Sequence, residues 1–221
     1  MGRTIALSWI AEAPPAPALR EAVEVSLRAE APDVELVVVE RGTPLRGDAA
    51  VITGAAPAGD DGGGPGAALA GTLRDFVAAG GAVLGIGPGV AVLCAAELLP
   101  GHVAPLASAA APPTHVRIEG RATPFTWAIP AGRVLDVDAS SVTARLVAPD
   151  PAALQTAGRI VLRYCDAAGG VQAEAVAGVC DGAGRVVGLF PGLAAPARTL
   201  RGSLGRQLLA SLRLAVAGAW R

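Results

Sequence analysis

Three short runs constrain the fold of this chain more than any other feature. VELVVV (Val34 to Val39), AAVIT (Ala49 to Thr53) and AVLGI (Ala82 to Ile86) are apolar at nearly every position. A strand with one wet face alternates apolar and polar residues, so a continuous apolar run reads as a parallel strand covered on both faces. Thr4 to Trp9 reads as a first strand ahead of them. Between the strands the apolar residues are spaced as on helices: Leu19, Val23 and Leu27 after Pro17, then Leu69, Leu73, Phe76 and Val77 in a helix expected over Ala67 to Ala79. A loose linker, GDDGGGPG, precedes that second helix. Strands alternating with helices imply right-handed crossovers and an α/β fold with a doubly wound, mainly parallel sheet. Ligands of such sheets gather at the carboxyl ends of strands, where Gly54 and Gly87 both fall.

The second half of the chain has another rhythm. Val116 to Glu119, Val134 to Val137, Ile160 to Cys165, Val176 to Cys180 and Val186 to Phe190 are strand-like and joined by short loops, with no helix expected before Ser203 to Ala217. This predicts an antiparallel extension packed against the parallel sheet, then a C-terminal amphipathic helix carrying Leu204, Leu208, Leu212 and Val216. There is no internal repeat, and at 221 residues with 52% hydrophobic content the chain reads as a single domain over 1–221 with a substantial core.

Charge and cysteine usage narrow the function classes. The formal net charge is −1 and the arginines are scattered, so no electrostatic footprint for nucleic acid or an anionic membrane is expected. No apolar run reaches the roughly 20 residues that span a bilayer, and the first residues break into Pro and Glu too early for a signal peptide, which predicts a cytoplasmic protein. Cys94, Cys165 and Cys180 form no CxxC pair and read as buried thiols. Asp60, Asp61, Asp136 and Asp138 read as solvated residues, and no grouping has metal-ligand spacing. GIGPGV and GAGRVV lack a full GxGxxG and no GK[ST] follows a glycine loop, so no metal or nucleotide cofactor is expected.

The stretch GGAVLGIGPGVAVLCAAELLPG (Gly80 to Gly101) carries the sharpest signal. It reads as an apolar strand, a turn of Gly87, Pro88 and Gly89, and an apolar helix closing near Pro100-Gly101. A strand that enters a helix through so tight a turn lifts its apex residue above the sheet, where many α/β enzymes hold a nucleophile. Here the apex is Gly87, which is either a vacated nucleophile position or an ordinary glycine turn.

With its neighbours, this stretch resembles the glutaminase subunit of phosphoribosylformylglycinamidine synthase, a class I glutamine amidotransferase of purine biosynthesis with a flavodoxin-like sheet. The stretch is similar to that family's vLGICNGfQiLxExGLLPG segment. TPFT (Thr123 to Thr126) inside VRIEGRATPFTWAIPAGRVLDV resembles its N-x-x-TPFT segment. IVLRYCD (Ile160 to Asp166) and VAGVCDGAGRVVGLFP (Val176 to Pro191) resemble its RY-x-D strand and its following AG-rich run. Such enzymes use a Cys thiolate to attack the glutamine amide, a His to move protons, a Glu to orient it and backbone N–H donors for the oxyanion. Matched residue by residue, the Cys falls on Gly87 and the next residue, an oxyanion donor, on Pro88, which has no N–H. The family's PHPE falls on Pro191, Gly192, Leu193 and Ala194, so the His and Glu positions hold Gly192 and Ala194.

The resemblance therefore implies no catalytic residue, with a pocket remnant of Gly54, Gly87, Pro88 and Gly89. The PGGFSYGD loop corresponds to Thr53 to Asp60 without its aromatic, the HGEG interface motif to Ser141, Val142, Thr143 and Ala144, and the NPNGS loop lies near Ala167 to Val171. Three functions stay open. One is a non-catalytic subunit that partners a phosphoribosylformylglycinamidine synthetase. Another is a glutaminase using unrecognised residues, for which Cys94, His102 and His115 are the available groups. The third is a small-molecule binding module in the vacated pocket.

Overall fold

The computed structural model describes residues 5–11, 34–39, 44–53, 65–105, 114–120, 123–137, 144–191 and 204–216. The helix expected after Pro17 lies outside them. The first half contains β1 (Ile5–Ala11), β2 (Val34–Val39), β3 (Ala49–Thr53), α1 (Pro65–Ala78), β4 (Ala82–Ile86) and α2 (Gly89–Ala95). The second holds β5 (His102–Pro105), β6 (His115–Ile118), β7 (Val134–Asp136), β8 (Ala144–Val147), α3 (Pro151–Thr156), β9 (Ile160–Cys165), β10 (Val171–Cys180), β11 (Val186–Leu189) and α4 (Leu204–Leu214).

One nine-stranded sheet runs in the order β2-β1-β3-β4-β11-β10-β9-β6-β7. Pairs from β2 through β4 to β11 are parallel, and those from β11 outward to β7 are antiparallel. The antiparallel extension does not pack against the parallel strands as a separate layer. It continues them edge to edge, because β11 pairs parallel with β4 on one side and antiparallel with β10 on the other. β4 lies inside the sheet, and all five of its residues are buried.

Alternate residues of the central strands feed two cores. Ala49, Val51, Leu84 and Ile86 join one cluster with Leu204, Leu208 and Leu212 of α4 and with Phe125 and Ile129. Ala50, Ile52 and Val83 join the other with Leu69, Leu73 and Phe76 of α1, Val90 and Leu93 of α2, and Leu154 of α3. Each buried Leu or Phe contributes about 1.5–3 kcal/mol of transfer free energy, which is why these strands carry no polar face. The TPFT turn belongs to this packing. Thr123 and Thr126 are fully buried, with their hydroxyls 3.0 Å apart. The buried Ser211 hydroxyl donates to the Pro124 carbonyl at 3.0 Å and accepts from the Ala128 N–H at 3.1 Å, tying α4 to the turn.

Three elements go beyond the sequence expectation. α3 interrupts the stretch expected to hold no helix before Ser203; Asp150 caps it by accepting from the Ala153 N–H at 2.9 Å, and Pro151 opens it. Six residues with one buried position, Leu154, leave no periodicity to read. β5 and β8 form a separate two-stranded antiparallel sheet. The elbow helix also stops earlier than expected, at Ala95, in a Schellman arrangement: Leu98 N–H bonds to Leu93 O at 2.9 Å and Glu97 N–H to Cys94 O at 3.0 Å. Glu97 occupies the left-handed position of this cap, φ 58°, the one non-glycine residue with positive φ among the described residues. Its Arg74 contact, 4.0 Å between exposed side chains, offsets little of that strain.

The outer strands hold a charge cluster built on one buried cation, Arg163. Arg117 and Arg163 face each other across β6 and β9, a repulsive placement unless bridged. Glu119 bridges them, accepting from Arg117 Nε at 2.7 Å and lying 3.7 Å from Arg163 Nε. Arg163, 7% exposed, also contacts Gln155 of α3. Removing the bridge leaves a buried cation beside its like-charged neighbour. Glu119→Ala is expected to destabilise the protein by about 2 kcal/mol, while Glu97→Gly, which relieves the left-handed strain, stabilises it by about 1 kcal/mol. Urea unfolding of the two variants beside the parent checks both signs.

Candidate functional site at the β4 to α2 turn

The turn is built by close backbone approach. A Cβ at Gly89 would lie 2.2 Å from the Ile52 carbonyl oxygen, and one at Gly85 would lie 2.6 Å from Leu93 Cδ1 and 3.1 Å from the Gly89 carbonyl. These two glycines let α2 start directly against β3 and β4. Gly87 between them is different. It is buried with φ +54°, and its N–H donates to Leu189 O of β11 at 2.7 Å. Yet a Cβ there would meet nothing within 4 Å among the described residues. Space does not demand glycine at the apex. The backbone conformation is one that an L side chain adopts at a cost of roughly 1–2 kcal/mol, the strain a nucleophile elbow tolerates.

Pro88 is exposed, in right-handed helical conformation (φ −58°, ψ −27°) at the N-cap of α2. It brings no N–H to the turn, and the Val90 and Ala91 N–H groups are bonded within it, to Gly87 O at 3.1 Å and Pro88 O at 3.0 Å. On either side, Thr53 and Leu189 pair with Ile86, so the carboxyl ends of β3, β4 and β11 meet at the apex. The chain continues from β3 into Gly54 and from the buried Pro191 into Gly192 and Ala194; those three residues lie outside the described residues. So do Asp60, Asp61, Asp138 and Ser141 to Thr143.

The remaining candidate groups sit elsewhere. Cys94 is half-buried in α2, packed against the α1-side core, and burial pushes its thiol up to about 11. Burial likewise raises Cys180 to about 11, with the nearby Asp181 adding to the effect. His102 is exposed on β5. His115 lies on β6, separated from β4 by β11, β10 and β9. There the structure brings together residues that the sequence reading left apart: Cys165, His115 and Asp136 pair in register across β9, β6 and β7. Asp136, read as merely solvated, is exposed but lies 3.2 Å from His115 Nε2. The row does not form an activated nucleophile. Both imidazole nitrogens are engaged, Nδ1 by Thr114 Oγ1 at 2.9 Å and Nε2 by Asp136, and burial raises the Cys165 thiol. Strand register was the missing signal, since these residues are far apart in the chain. Among the described residues, no group of three or more His, Cys, Asp or Glu side chains is placed to hold a metal ion, and no helix is long and apolar enough to cross a membrane.

Comparison with known proteins places this geometry. No protein-family model matches the chain. It is 36% identical over 129 residues to phosphoribosylformylglycinamidine synthase subunit PurQ of a Synechococcus strain, covering 57% of each protein. It is 36% identical over 153 residues to the same subunit of Symbiobacterium thermophilum, covering 63% of this chain and 65% of that protein. Over the first of these, the chain spans little more than half the length of the curated relative it matches. Among solved structures it is similar to a chain of PurLQS from Thermotoga maritima, with TM-score 0.71 and 22% identity over 96% of this chain and 99% of that one. A glutamine amidotransferase from the same organism gives TM-score 0.64 at 13% identity, covering 98% of this chain and all of that one. The chain is thus related to phosphoribosylformylglycinamidine synthase subunit PurQ and shares its α/β fold with these solved structures.

The two glycines of the turn are separable by substitution. Gly89→Ala, which drives a methyl into the Ile52 carbonyl, is expected to cost about 3 kcal/mol, against about 1 kcal/mol for Gly87→Ala, where only the backbone conformation resists. Thermal and urea unfolding give the comparison. A raised thiol pKa means little thiolate at neutral pH, so Cys94 and Cys180 should alkylate slowly in the native protein at pH 7.5, faster as pH climbs toward 11. Mass spectrometry after timed alkylation, with a denatured control, reads the rates.

Proposed function

We propose that this chain, as one glutamine amidotransferase-like domain over 1–221, is a cytoplasmic partner subunit of a phosphoribosylformylglycinamidine synthetase that has lost glutaminase activity. The observation that carries the reading is the apex itself: an elbow with left-handed backbone and open space for a side chain holds Gly87, and Pro88 follows it. An elbow nucleophile needs a thiol there and an N–H after it. The matched base and orienting positions, Gly192 and Ala194, add the same deficit from sequence. Relatedness to PurQ supports the choice of partner. Binding, rather than chemistry, is then what the retained scaffold serves.

The open space above Gly87 favours one second reading, a module that takes a small molecule in the vacated pocket. A glutaminase built on other residues has less support, because the three thiols are raised and His115 is engaged on both nitrogens.

Purified protein is expected to release no glutamate from glutamine above background, and to co-purify with the synthetase when the two are co-expressed. Loss of the complex in both native purification and co-expression, together with thermal stabilisation by a small ligand, would move the assignment to the binding module. Gly87→Cys alone should remain inactive. A lone thiol lacks an oxyanion donor, worth about 10²–10³ in rate, and a general acid–base group, worth a further ~10²–10⁴. Glutamate release by Gly87→Cys, compared with the variant that also carries Pro88→Asn, Gly192→His and Ala194→Glu, tests this; substantial turnover by the single variant would overturn the reading of an emptied site.

A further inference from the structure

No further inference is drawn: the strongest candidate, the cleft of about 560 Å³ at the amino-terminal end of β3, β4 and β11, walled by Gly47, Asp48, Gly80, Arg185, Pro124 and Leu212, carries nothing because Arg185 and Asp48 are already engaged, Arg185 with the Gly80 carbonyl, and nothing in the structure shows which ligand chemistry it would take.

Discussion

The contact on which the rest of the site depends is between backbones. α2 begins so close to β3 and β4 that Gly89 lies against the Ile52 carbonyl and Gly85 against Gly89 and Leu93. A side chain at Gly89 would push the helix off the sheet, and one at Gly85 would displace Leu93. Because the helix sits this low, the chain must rise at Gly87 and turn with positive φ, held from the side by the Leu189 carbonyl of β11. The elbow is therefore a consequence of packing, and it survives with no reactive group at its apex.

The same distinction between packing and chemistry runs through the segments shared with the PurQ-like pattern. TPFT is a buried turn whose threonines bond to each other and whose Pro124 carbonyl is held by Ser211 of α4. The RY of RYCD supplies Arg163, locked between Glu119 and Gln155, and Tyr164, packed against both cores. Loss of the Thr123 or Ser211 hydroxyl would leave a buried polar partner unpaired, at a cost of roughly 1–3 kcal/mol. A side chain at the apex carries no such structural duty toward the described residues, none of which lies within 4 Å of a Cβ there.

Legibility from sequence followed burial. β3 and β4 were readable to the residue because strands covered on both faces are written as unbroken apolar runs. α3 was not, since a six-residue helix buries only Leu154, although Asp150 and Pro151 marked its start. β5 and β8 were not, since a two-stranded ribbon has too little buried surface to impose a pattern. At the candidate site, Gly87, Pro88 and Gly89 were found from the strand-turn-helix sequence alone. Their different roles were not, because a required glycine and a permitted one are the same letter.

The sequence by itself determined the α/β class, the central place of β4 and the absence of a thiol and an N–H donor at the apex, because periodicity and residue chemistry are local properties of the chain. Only the tertiary structure decided the rest. Strand pairing made the antiparallel half a continuation of the parallel one, put Arg117 opposite Arg163 and lined up Cys165, His115 and Asp136. The distance between two backbones decided that Gly89 must be glycine while Gly87 need not be. Register and close approach join residues far apart in the chain, so no window of sequence contains them.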